Sequence, residues 1–110
     1  MSEGPVEARL AALREAYLAR CRLRVERVRI LLVAVAAAPD ASDEPLAELL
    51  RIGHELHGSG ASFGIPEIST WGGRLESLCG AALDGGAEGR LADLSALGSA
   101  IDGLDRACAS

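Results

Sequence analysis

Four amphipathic helices packed up-down-up-down, an all-α bundle, are what this sequence of 110 residues predicts. Three observations carry that expectation. Apolar residues recur at three- and four-residue steps through most of the chain, the period of a helix with one buried face. Ala, Leu and Gly dominate and Tyr17, Phe63 and Trp71 are the only aromatic residues, a composition that suits helix packed on helix. The breaks at Pro39-Asp40, Gly64 to Pro66 and Asp84-Gly85-Gly86 are short, so consecutive helices should lie side by side. The length fits one domain over residues 1–110, with a single modest core.

The first helix is expected over about residues 5–38. Pro5 suits a first turn, and Val6, Leu10, Leu13, Tyr17, Cys21, Val25, Val28, Leu32 and Val35 form its apolar stripe. Pro39-Asp40 closes it. Ser42 or Asp43 is placed to cap a second helix, about 43–62, with Pro45 inside its first turn. Gly64 stops that helix and Pro66 opens a third, about 66–83, with Ile68, Trp71, Leu75, Leu78 and Ala82 inward. A fourth, about 88–108, repeats the pattern through Leu91, Leu94, Leu97, Ile101, Leu104 and Cys108.

The net charge of −5 is unevenly spread: residues 1–38 carry seven Arg against four Glu, and residues 39–110 carry four Arg against twelve acids. The acidic part repels nucleic acid, and the basic part lacks interleaved aromatic residues for base stacking. Its arginines read as a solvated helix face. Cys21, Cys79 and Cys108 fit no short metal-ligand spacing and fall near apolar stripes, as expected of reduced, buried thiols in a cytoplasmic protein. The N-terminal residues lack the basic and apolar regions of a secretion signal, and the apolar run from Ile30 to Ala38 is too short for a bilayer. No membrane association is expected.

The most informative stretch is His54-Glu55-Leu56-His57-Gly58-Ser59. Gly53, Gly58 and Gly60 sit in or at the end of a helix, where three glycines together cost ~3 kcal/mol relative to alanine. At about 100° per residue, Leu49, Ile52, Gly53, Leu56, Gly60 and Phe63 share one arc, the core face. His54 lies opposite, in the company of Ala47, Leu50, Arg51, His57, Gly58 and Ala61. An exposed histidine on a flat, partly apolar patch is the pattern of a docking surface with a reactive centre. Gly53 and Gly60, on the other face, should let a neighbouring helix approach closely.

These residues resemble the histidine-containing phosphotransfer domains of bacterial two-component phosphorelays. That family's motif is a phosphorylated His, Lys three positions later, Gly at four, often Ser at five and Gly at ten; here the series is His54, His57, Gly58, Ser59 and Gly64. Pro66-Glu67-Ile68 and Leu75-Glu76 resemble the family's third helix. The resemblance implies that His54 accepts a phosphoryl group and exchanges it with the aspartate of a response-regulator receiver domain. It makes Gly58 the clearing for the incoming partner, Ser59 a helix-stabilising polar position, and Ala47, Leu50 and Ala61 part of the docking surface. His57 stands where the family has lysine, which places Arg51, one turn before His54, as a candidate for the missing charge. A sensor or hybrid histidine kinase would be the donor. Mg²⁺ would belong to the receiver, and this chain would carry no cofactor, metal or ATP site of its own: it would be a phosphocarrier rather than a kinase. A monomer is the expected state.

Other classes fit less well. A histidine-kinase dimerisation domain shares His54-Glu55-Leu56 but continues with a basic residue, Thr or Asn, then Pro, where this chain has His57-Gly58-Ser59. A metal site would have only His54 and His57 at suitable spacing. A non-catalytic interaction bundle would use the His54 patch for binding alone. A hydrolase lacks its nucleophile elbow.

Overall fold

In a computed structural model, which describes residues 4–109, those residues form three helical spans and two short 3₁₀ turns, with no strand among them. Helix α1 covers Pro5–Ala37, α2 Asp43–Ser59 and α3 Pro66–Cys108, with 3₁₀ turns at Pro39–Ala41 and Ala61–Phe63. The all-helical expectation holds. The break expected at Asp84-Gly85-Gly86 contracts to one residue, Gly86, at φ 69° and ψ −174°, inside α3. Only glycine adopts that conformation at low cost. A straight helix would hold Trp71 and Gly103 about 48 Å apart, yet the Trp71 indole packs directly on Gly103. Residues 87–108 therefore run back along residues 66–85.

Arg90 makes that reversal possible. Gly86 leaves the carbonyls of Ala82 and Leu83 without helical partners. The buried Arg90 guanidinium donates to both, at 3.0 and 3.3 Å, and also to Pro39 O at 2.7 Å, Ser42 Oγ at 3.2 Å and Asp43 Oδ1 at 2.5 Å. One side chain thus ties the break in α3 to the turn before α2. Because Arg90 points inward, Leu91, about 100° further round, points out and is 54% exposed, against the expected inward stripe.

Ser42 occupies the N-cap position of α2, but its hydroxyl donates backwards to Pro39 O at 2.7 Å and makes no capping bond. The α2 helix stops at Ser59, three residues short of the expected end, because the chain tightens into the 3₁₀ turn. Gly64 (φ 81°) closes it, with Gly64 N–H donating to Ala61 O and Ile65 N–H to Gly60 O, a left-handed stop with the buried Ile65 packed beneath.

The core joins Tyr17, Cys21, Val28 and Val35 of α1 to Leu46, Leu49 and Leu56 of α2 and Ile68, Leu75, Leu97, Ile101 and Leu104 of α3. The expected stripe of α1 holds from Tyr17 onward but not before it. Val6, Leu10 and Leu13 are 67%, 60% and 48% exposed. The basic face of α1 is more than solvated. Arg24 pairs with Glu55, Arg27 grips Glu48 through two bonds, and Arg29 meets Asp102 and Asp105.

All three cysteines are buried and free. Cys21 and Cys108 lie together: a hydrogen bond from the Cys108 thiol holds Cys21 down at about 7, against the effect of burial. Among the described residues no helix is long and apolar enough to cross a membrane.

Candidate functional site

The site is built where α2 crosses the first arm of α3. A methyl group on Gly53 would lie 2.9 Å from both Glu76 N and Gly72 O, and one on Gly72 would lie 2.7 Å from His57 N. The two backbones approach this closely because neither position carries a side chain. Gly60, as expected, serves the same end: a methyl there would meet Ser69 N and Ile65 O, at 2.5 and 2.9 Å.

Close approach delivers Glu76 to the outer face of α2. Its Oε2 lies 2.6 Å from His54 Nδ1, and its Oε1 lies 3.3 Å from His57 Nδ1. One carboxylate therefore holds two imidazoles. The His54 side chain is 71% exposed and that of Glu76 only 29%, so the acid supports from beneath and the histidine faces outward. A carboxylate can only accept, so Nδ1 of His54 carries the proton. The lone pair of the neutral ring is then on Nε2, at the ring edge away from Glu76. That arrangement fixes a single tautomer and ring orientation and presents a nucleophilic nitrogen.

Glu76 is the functional residue that spacing could not find, since it stands 22 positions from His54. The available signals were indirect: Leu75-Glu76 in the resemblance to the third helix, and Gly72, one turn before Glu76, facing Gly53 of α2. His57 lies against Gly73, where a methyl would meet its Nδ1 at 2.6 Å. Its ring is 58% exposed.

The remaining predicted residues divide. Ala47, Arg51, Gly58 and Ala61 are exposed with His54, and a methyl on Gly58 would meet nothing within 4 Å. Leu50 was expected outward but is partly buried against the core, since α3 passes it at Gly80. Arg51 makes no ion pair with His54, His57 or Glu76. Ser59 donates to Glu55 O at 2.8 Å and meets the Tyr17 hydroxyl at 2.7 Å, tying the end of α2 to α1. Beside His57 an open depression of about 530 Å³ is lined by Ser69, Thr70, Gly73, Arg74, Ser77 and Leu78. Among the described residues no three His, Cys, Asp or Glu are placed to hold a metal ion. Glu76 is hydrogen-bonded to His54 and lies within ion-pair distance of His57.

A family model described as the Hpt domain matches residues 8–107. No curated protein and no solved structure matches the chain.

Proposed function

The chain belongs to the Hpt domain family, whose members carry out histidine phosphotransfer in phosphorelays, and from that premise we propose that His54 is its phosphoacceptor and Nε2 the atom that bears the phosphoryl group. The observation that carries this reading is the 2.6 Å contact between Glu76 and Nδ1 of an outward-facing His54. The Nε2 lone pair attacks phosphorus in line, a P–N bond forms, and the bond to the donor's aspartyl oxygen breaks. The reverse step returns the group to a receiver aspartate. Phosphoryl transfer asks for positioning and charge neutralisation and little acid-base work. Glu76 and the rigid α2–α3 crossing supply the positioning, and the receiver, with its Mg²⁺, supplies most of the charge.

Ala47, Gly58 and Ala61 form the docking surface around His54, with Gly58 its open centre and the half-buried Leu50 at its edge. His57 and Arg51 are the supporting side chains nearest in sequence. The chain works as a carrier between a kinase and a receiver, without its own ATP site. Its helical arms suit the up-down-up-down four-helix bundle of this reading, with the reversal at Gly86 separating the third and fourth members.

Incubation with phosphoramidate or a phosphorylated receiver domain tests the proposal. Acid-labile, alkali-stable phosphate, read by mass spectrometry, should appear on wild type and His57→Gln and vanish in His54→Gln. A wild type that stays unlabelled beside a competent control would leave a binding module with no turnover.

A further inference from the structure

The first dozen residues of α1 form an arm that nothing covers. Every residue from 5 to 16 is exposed, whereas Tyr17 and Leu18 are each 1% exposed. At 1.5 Å per residue this exposed stretch is about 18 Å long. Its apolar residues are not scattered: Val6, Leu10 and Leu13 step by four and three into Tyr17, the spacing of a helix–helix seam. A gutter of about 420 Å³ runs along the base of this seam, between Leu10, Leu13 and Arg14 on one side and Phe63 and Gly64 on the other.

We infer that this arm is a self-association surface, and that its occupant is the same arm of a second copy of the chain, running antiparallel about a two-fold axis between Ala11 and Ala12. Three features fit that occupant. Centred there, Leu10 of each copy meets Leu13 of the other, and Val6 reaches the end where Tyr17 and Phe63 stack at 4.3 Å. Charge also complements itself. Glu7 and Arg14 both flank the seam on the same side, each directly after an apolar seam residue, and antiparallel helices bring such positions together. Glu7 of one copy then meets Arg14 of the other, twice, while Arg9 on the opposite flank meets Ala16. Neither Glu7 nor Arg14 has an ion-pair partner among the described residues. The arm also has the right length. With the axis between residues 11 and 12, residue 17, where the helix becomes buried, lies opposite residue 6 of the other copy, so each arm spans the exposed stretch of the other. A surface complementary to itself under a two-fold rotation is what an isologous dimer requires.

The test is the molar mass in solution, by sedimentation or light scattering, over a roughly hundred-fold range of concentration, since self-association follows mass action. Wild type should rise from one chain mass toward two. Leu10→Glu with Leu13→Glu should stay monomeric, and both positions are exposed, so the fold is kept. Glu7→Arg and Arg14→Glu should each weaken association at least ten-fold by setting like charges together. The double variant Glu7→Arg/Arg14→Glu should recover to within a few-fold of wild type. A wild type monomeric at every concentration would overturn the inference. So would single reversals without effect, a double variant that does not recover, or apolar-face variants that change only transfer to a receiver. The last result would give the arm to that partner. The molar-mass readouts do not depend on His54 being phosphorylated.

Discussion

Glu76 Oε2 lies 2.6 Å from His54 Nδ1, bridging helices α2 and α3 at the outer face of the molecule. The bond does two things: it aims the imidazole, and it selects the tautomer whose lone pair is on Nε2. Replacing Glu76 with Gln keeps the shape but replaces a charged acceptor by a neutral amide. A hydrogen bond to a charged group is worth about 1.5–3 kcal/mol, so transfer to His54 should slow roughly 10- to 150-fold. Rates of labelling by phosphoramidate measure this directly. Nitrogen NMR of the imidazole supplies an independent readout, with His54 protonated at Nδ1 in wild type and mixed in Glu76→Gln. Equal rates in the two proteins would remove Glu76 from the mechanism.

Gly53 and Gly58 lie five residues apart on α2 and should answer the same substitution with opposite signs. In Gly53→Ala the added methyl meets backbone atoms of α3 at 2.9 Å, which cannot swing aside. The helices must separate, at about 1–3 kcal/mol, and Glu76 withdraws from His54, so urea unfolding shifts down and labelling slows together. In Gly58→Ala the methyl meets nothing, and helix propensity stabilises the fold by about 0.5–1 kcal/mol. Labelling by phosphoramidate should be unchanged while transfer from a receiver domain slows. Loss with both donors would mean that Gly58 acts on the chemistry and not on docking.

How much of this was legible in the sequence differs from residue to residue. The outward direction of His54 and the inward one of Gly53 follow from angular position alone, because α2 is a regular helix touched on one side. Val6, Leu10 and Leu13 keep the same period as the core residues after them, yet are exposed. Periodicity tells which face of a helix is apolar, and only the lengths of the neighbouring helices tell whether that face is covered. Arg90 reads as one more surface arginine, because nothing local reveals that a glycine four residues earlier strands two carbonyls. Glu76 was out of reach for a similar reason: its partner lies on another helix, brought near by three glycines whose joint effect exists only after packing.

Alkaline pH should loosen the fold through a buried phenol and a buried thiol. Burial pushes the Tyr17 phenol up to about 12 from 10.0, against a smaller opposing effect of the Ser59 hydrogen bond, and burial pushes the Cys79 thiol up to about 12 from 9.0. In both cases the folded value exceeds the unfolded one, so folding favours the neutral form. Their contribution is complete below pH 9 and is lost as pH rises towards 12. Cys21, held at about 7, works in the other sense, but its effect is already complete at pH 9. Urea midpoints should therefore fall steadily above pH 9. Cys79→Ala and Tyr17→Phe should each flatten that fall, even though Tyr17→Phe, lacking its bond to Ser59, starts about 1 kcal/mol lower. A slope unchanged in both variants would place the alkaline sensitivity elsewhere.

Arg90 and Gly86 should behave as one device that turns α3 back on itself. Gly86→Ala forces a side chain into φ 69°, ψ −174° and should cost about 1–3 kcal/mol. Arg90→Leu leaves the carbonyls of Ala82 and Leu83 without their side-chain donor, and a buried acceptor left open costs about 1–3 kcal/mol. The loss should come to about 3 kcal/mol, a large fraction of the total stability of a domain this size. The ion pair itself contributes little of it. Arg90 is buried, but the Asp43 side chain is 80% exposed, so Asp43→Asn should cost under about 1 kcal/mol. Combining Asp43→Asn with Arg90→Leu should add almost nothing to Arg90→Leu alone. Chemical denaturation of the four variants decides the matter. If Asp43→Asn proved as damaging as Arg90→Leu, the carboxylate and not the stranded carbonyls would be what Arg90 is there to hold.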